Sequence, residues 1–208
     1  MHIRQRFPKH GLYAITDGPR PGLIEACAAA LRSGAAVLQY RDKTADAKRR
    51  VAEAFALAAL CAEYGVPLII NDDIKLAAAV GAAGVHLGEG DADVPSARAQ
   101  LGAAAIIGVS CYDSLERARE LTLAGADYLA FGAFFPSPTK PRARRATPDL
   151  LTAAKSLGKP LVAIGGVTPD NARPLLEAGA DFIAAVSGVF ADPDPAAATQ
   201  RYADLFRN

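Results

Sequence analysis

The chain has no tryptophan and a single methionine, and only 7% of its 208 residues are Phe, Trp or Tyr. Its core must therefore be built from small and branched aliphatic side chains. Alanine is prominent within the 51% of residues that are apolar, which suits helices packed closely on a sheet. There is no charge surplus: 23 Lys plus Arg stand against 22 Asp plus Glu. That balance points to neither a nucleic-acid nor a membrane partner. No apolar run approaches the roughly 20 residues of a membrane span; charges such as Asp72, Asp73 and Lys75 interrupt the longest ones. Cysteine is scarce. Cys27, Cys61 and Cys111 are odd in number, far apart and without metal-ligand spacing, so they read as reduced thiols, the first two as packing groups. Residues 1–9 are basic but lack the apolar core of a signal peptide. The expected compartment is cytoplasmic. The length fits one well-buried domain over residues 1–208, with 1–10 as an N-terminal extension.

What is present is alternation. Short apolar runs at 12–16, 36–41, 67–71, 85–88, 106–110, 128–132, 161–165 and 182–187 read as strands. Helical patterns separate them, from about Pro21, at 46–64, 74–80, 95–101, 114–124, from Pro148, at 169–178 and at 195–206. Continuous apolar strands between helices imply a parallel sheet buried on both faces. Eight such units predict an α/β fold of one class, a single (β/α)8 TIM barrel, with the active site at the C-terminal ends of the strands. Gly34-Ala35-Ala36, Gly81-Ala82-Ala83, Gly125-Ala126-Asp127 and Gly179-Ala180-Asp181 precede the even strands, an apparent repeat of two βα units.

Each apolar run ends in polar or glycine residues, so the chain marks its own barrel rim. Gly165-Gly166 after the seventh strand and Ser187-Gly188 after the eighth suit phosphate binding by backbone N–H groups. Asp72 and Asp91 close neighbouring strands; two carboxylates with substrate phosphate oxygens suit Mg²⁺. N-capping competes with that reading and is preferred for Asp73. Gln39 and Arg41 are two apart and face one side of the second strand, with Lys43 just beyond. An interior Arg is costly unless it meets an anion, here a diphosphate. A polar loop from Ala133 to Ala146 carries Ser137, Thr139, Lys140, Arg142, Arg144 and Arg145 and reads as a lid. His86, amid apolar residues, reads as a satisfied core histidine, and Cys111 as structural.

Six segments carry a family resemblance. They are Gln39-Tyr40-Arg41-Asp42-Lys43, Ile70-Asn71-Asp72-Asp73, His86-Leu87-Gly88 with Asp91, Gly108-Val109-Ser110, Pro136-Ser137-Pro138-Thr139-Lys140 and Ile164-Gly165-Gly166. In this order, from Gly11 to about Val189, the chain resembles the thiamine phosphate synthase family within the synthase/thiazole tautomerase superfamily. The resemblance implies a transferase. It joins 4-amino-2-methyl-5-hydroxymethylpyrimidine diphosphate to a thiazole phosphate, giving thiamine phosphate and diphosphate through a dissociative carbocation path. It implies Mg²⁺ on Asp72 and Asp91, and a pyrimidine diphosphate site of Gln39, Arg41, Lys43, Asn71, Ser110 and Lys140. The thiazole phosphate would meet Ser137, Thr139 and the backbone of Gly166, Val186 and Ser187. Lys140, Arg41 and Ser110 would be the catalytic groups. Gly88-Glu89-Gly90-Asp91 departs from the family's commoner Gly-Gln-Glu-Asp, and Ser137 stands where Thr is common. Two rivals remain. One is a thiazole tautomerase relative, disfavoured because Tyr112 occupies the region of its catalytic His. The other is a non-catalytic, regulatory thiazole phosphate-binding barrel. A homo-oligomer stays open.

Overall fold

A computed structural model describes residues 7–91, 93–136 and 144–207. The strands are β1 (Gly11–Ile15), β2 (Ala35–Tyr40), β3 (Leu68–Asn71), β4 (Gly84–Leu87), β5 (Ile106–Tyr112), β6 (Tyr128–Phe131), β7 (Leu161–Ile164) and β8 (Phe182–Ala185). The helices are α1 (Leu23–Arg32), α2 (Ala47–Tyr64), α3 (Ile74–Val80), α4 (Val94–Leu101), α5 (Leu115–Leu123), α6 (Pro148–Ala154), α7 (Arg173–Glu177), α8 (Ser187–Phe190) and α9 (Pro195–Ala203). All strand pairs are parallel, and β8 returns to β1, so the sheet closes into the expected barrel in chain order.

Local chemistry explains the helix starts. Asp46, Asp73, Asp93, Ser114 and Asp194 each accept a backbone N–H of the turn that follows. These caps satisfy donors that a helix cannot pair internally. Asp73 is thus a cap, as the sequence predicts, and Asp93 rather than Asp91 caps α4. The glycine repeat has a different basis from its apparent period. Gly65 ends α2 in the left-handed conformation just as Gly81 ends α3, so one βα unit is the period. The Asp of the Gly-Ala-Asp copies does separate work. Asp127 accepts Ile107 N at 2.7 Å, and Asp181 accepts Leu161 N at 2.8 Å, each pinning the start of the preceding strand.

Two segments differ from the sequence expectation. Helix α7 is shorter than 169–178, because Asn171 holds residues 166–171 as a loop. Its Oδ1 accepts Thr168 N at 2.8 Å and its Nδ2 donates to Gly166 O at 3.1 Å. Strand β8 stops at Ala185 rather than Ser187, because the chain turns there into the unexpected α8.

The core has two parts. Outward strand residues such as Leu38, Ile70, Val85 and Leu129 pack with helix residues including Cys27, Leu57 and Cys61. Inward residues such as Tyr13, Val37, Ile69, Tyr128, Val162 and Phe182 fill the barrel. Burial pushes the Cys27, Cys61 and Cys111 thiols up to about 12, which keeps them protonated and unreactive. Phe7 stacks on Tyr128 with ring centres 4.5 Å apart, below the N-terminal strand ends. Among the described residues, no helix is long and apolar enough to cross a membrane.

Candidate active site

The carboxyl ends of the strands surround a cavity of about 550 Å³. That size holds small organic ligands. Strand alternation decides which side chains enter it. In the β2 segment, Gln39 and Arg41 line the cavity, as predicted. Their neighbours point outward and tie the strand to α2. Tyr40 Oη donates to Glu53 Oε2 at 2.7 Å, and buried Asp42 accepts Thr44 N at 2.8 Å and pairs with Arg49. Burial alone would raise the Asp42 carboxyl; the Thr44 and Arg49 hydrogen bonds outweigh it and leave its pKa lowered. Thr16, fully buried, completes the support. Its Oγ1 accepts Arg41 N at 2.8 Å and donates to Arg41 O at 3.1 Å, so the Arg41 backbone is clamped where the side chain leaves the sheet.

The candidate metal ligands come together beside this cavity without lining it, and Asp91 lines a separate small pocket with Gly88 and Arg117. Asp72 follows β3 with φ 63°, a left-handed conformation that Asp tolerates better than most residues. Its carboxyl lies close enough to that of Asp91 to share a proton with it, and Lys43 Nζ lies 2.9 Å from its Oδ2. Asp91 Oδ2 also accepts Gly88 N at 2.6 Å. Both carboxyls are pushed up by partial burial, but Lys43 and the shared hydrogen bond bring Asp72 down, while its negative neighbour leaves Asp91 raised. Two carboxylates that compete for one proton form an unfavourable anionic pair, and a divalent cation would relieve it. The donor set therefore fits Mg²⁺. Among the described residues no cluster of three or more His, Cys, Asp or Glu offers a fuller protein cage. Remaining ligands would come from substrate and water, the usual arrangement for this ion.

Ser110 and Asn71 line the same cavity, with His86 between their strands. His86 is a satisfied interior histidine: Nδ1 is 2.9 Å from Tyr128 Oη and Nε2 is 2.9 Å from Ser110 Oγ. It also faces the cavity, which the sequence did not disclose. Tyr112, with φ 55°, has the Arg117 and Arg144 guanidinium groups over its ring, 5.9 and 5.3 Å from the ring centre. Its Oη accepts Glu89 N at 3.1 Å. Glu89, the atypical residue of its loop, pairs with Arg144 at 3.2 Å and so joins the β4 loop to the segment after β6.

The opposite side of the cavity is backbone. Gly165 and Gly166 have φ values of 99° and 63°. A Cβ on Gly166 would lie 2.3 Å from Pro136 O, so only glycine fits. Asn171 and Tyr202, which donates to Val167 O at 2.9 Å, occupy carbonyls of this loop. Val186 and Ser187 line the cavity beside it, where α8 begins, and Thr168 joins them as a residue that sequence reasoning missed. Ser137, Thr139 and Lys140, with Arg142, lie outside the described residues.

Fold and mouth together define a (β/α)8-barrel enzyme whose reaction centre lies at the carboxyl ends of the strands. Comparison with known proteins narrows the class. The family model described as thiamine monophosphate synthase matches residues 12–189. A thiamine-phosphate synthase of Xanthomonas campestris pv. campestris is 58% identical over 193 residues, 92% of this chain and 93% of that protein. One from Halorhodospira halophila is 55% identical over 192 residues, 92% and 91% of the two chains. A solved thiamine phosphate pyrophosphorylase from Pyrococcus furiosus is 35% identical with a TM-score of 0.86, covering 98% of this chain and 97% of its own. The chain belongs to the thiamine monophosphate synthase family.

Proposed function

We propose that this barrel condenses 4-amino-2-methyl-5-hydroxymethylpyrimidine diphosphate with thiazole phosphate, releasing diphosphate. The observation that carries the reading is the division of one cavity. Cationic and polar side chains stand on β2–β5, and a glycine-lined backbone surface stands on β7–β8. Two phosphorylated substrates need two such places.

In this scheme Arg41, Asn71 and Lys43 hold the diphosphate, and Gln39 and Ser110 orient the pyrimidine. Asp72 and Asp91 would hold Mg²⁺, which would supply positive charge against the leaving group. The carbon–oxygen bond to diphosphate breaks first, and the pyrimidine ring spreads the resulting positive charge. The thiazole nitrogen then donates its electron pair to that carbon, while the backbone of Gly166, Val186 and Ser187 fixes the thiazole phosphate. Arg41 contributes because its guanidinium is already held toward the cavity as negative charge builds on the diphosphate. Ser137 and Thr139 would add hydroxyls to the thiazole phosphate, and Lys140 a cation to the departing group. The protein acts on small molecules in the cytoplasm.

The tautomerase alternative needs a proton-shuttling histidine near Tyr112. That position instead carries a phenol whose ring meets two arginines, which supports the synthase. The test is thiamine phosphate formation by the purified protein from both substrates, with Mg²⁺ or with excess chelator. Product only with Mg²⁺ is expected. No product in either case overturns the reaction, and undiminished product with chelator overturns the metal role.

A further inference from the structure

Five interior side chains form one unbroken hydrogen-bonded chain across the barrel. Gln39 Nε2 donates to Tyr13 Oη at 2.8 Å. Tyr13 Oη and Tyr128 Oη are 2.6 Å apart. Tyr128 Oη is 2.9 Å from His86 Nδ1, and His86 Nε2 is 2.9 Å from Ser110 Oγ. The two ends, Gln39 and Ser110, face the cavity, as do Tyr13 and His86; Tyr128 does not line it. The middle is held hard in place: a Cβ on Gly108 would lie 1.8 Å from Tyr128 Cζ, and Phe7 stacks on the Tyr128 ring at 4.5 Å.

The chain has a direction. Burial pushes both phenols well above their ordinary range, so each keeps its one hydrogen. Tyr13 receives a hydrogen from Gln39, and among the described residues the only acceptor for its own is Tyr128. Tyr128 must then donate to His86 Nδ1. A neutral imidazole that accepts at Nδ1 carries its hydrogen on Nε2 and gives it to Ser110 Oγ. Ser110 keeps its own hydrogen for the cavity, and Gln39 keeps its Oε1 lone pairs.

We infer that Tyr13, Tyr128 and His86 are positioning residues that lock Gln39 as an acceptor and Ser110 as a donor, and so select a 4-aminopyrimidine over its 4-oxo counterpart. This rests on the pyrimidine diphosphate reading given above. An amino group meets Gln39 Oε1 while Ser110 donates to a second substrate atom. A 4-oxo group in the same place needs Gln39 Nε2 where Oε1 stands, a position the second amide hydrogen does not occupy. The amide must then turn, Tyr13 and Tyr128 must reverse, and the His86 hydrogen must move to Nδ1. Ser110 must then give up its hydrogen to Nε2 and lose its bond to the ligand. A mismatch at β2 is thereby felt at β5. Removing the Tyr13 hydroxyl cuts the connection, and Gln39 can turn alone.

Two measurements test this. Imidazole ¹⁵N shifts of His86 in the ligand-free protein should report the Nε2–H tautomer; the Nδ1–H tautomer overturns the direction. Calorimetry should then compare binding of the 4-amino and 4-oxo pyrimidine diphosphates to the wild type, Tyr13→Phe and Tyr128→Phe. The preference for the amino form should fall about tenfold in the variants, the scale of one buried hydrogen bond. Either variant suffices if the other does not fold. An unchanged preference overturns the coupling. Binding of neither compound to the wild type would remove the substrate reading itself, and this proposal with it, whatever the tautomer.

Discussion

The two sides of the barrel mouth are built by different means. On β2–β5 the surface is made of side chains: Gln39, Arg41, Asn71, His86 and Ser110 line the cavity, and Asp72 and Lys43 pair with each other beyond these strand ends. On β7–β8 it is made of backbone, with Gly165, Gly166, Val186 and Ser187 along the wall. The difference teaches where substitutions act. A side-chain site is lost by truncation. A backbone site survives truncation and is lost only by added bulk or altered φ. The two sides also carry their costs differently. The first holds a buried polar chain and an anionic pair of carboxyls, whereas the second holds glycines at φ 99° and 63°.

The largest effect should come from the side-chain half. Arg41→Ala removes the cation proposed to face the diphosphate and should lower kcat/KM by about 100- to 1,000-fold in steady-state assays, as for other charge-stabilising donors. A loss under about threefold would move the diphosphate elsewhere. Asp91→Asn comes next. Turnover at limiting Mg²⁺ should fall by about tenfold to 100-fold, comparable to losing a metal-orienting group. Stability should move the other way. A carboxyl with a raised folded pKa costs stability above that pKa, so removing its charge relieves the pair with Asp72 at neutral pH. Thermal unfolding without metal should therefore show an equal or higher midpoint; a clear drop would make Asp91 structural.

The backbone half should give smaller numbers. Gly166→Ala places a Cβ against Pro136 O at positive φ. It should destabilise the fold by about 1–3 kcal/mol and raise the thiazole phosphate KM, read by denaturant unfolding and kinetics. Ser187→Ala leaves the backbone N–H in place and should change kcat/KM by less than about threefold. A large loss there would show that the Ser187 hydroxyl, not the backbone, binds phosphate.

Much of this division was legible in the sequence. The period-two spacing of Gln39 and Arg41 put both on the inner face, and glycines after the seventh strand marked the backbone half. The barrel itself followed from eight alternating units. What escaped reading depends on closure. Tyr13 and Tyr128 are 115 positions apart, and their contact exists only because β1 and β6 face each other across the interior. Alternation says that both point inward and says nothing of their meeting. Thr16 and Asp42 read as ordinary strand ends, because their work is to hold backbone and a neighbouring helix. Glu89 stood out in the sequence only as part of a departure from the family's commoner loop. Its partner is Arg144, which no local pattern connects to it. Helix α8 is four residues long, too short for any periodicity to reveal.

The central claim is that each half serves one substrate. Its most direct measurement is a crossed set of KM values, for pyrimidine diphosphate and thiazole phosphate, in Arg41→Ala and Gly166→Ala. The account predicts a diagonal result: Arg41→Ala raises the pyrimidine diphosphate KM and leaves the thiazole phosphate KM near the wild-type value, and Gly166→Ala does the reverse. Equal rises for both substrates in both variants would contradict it.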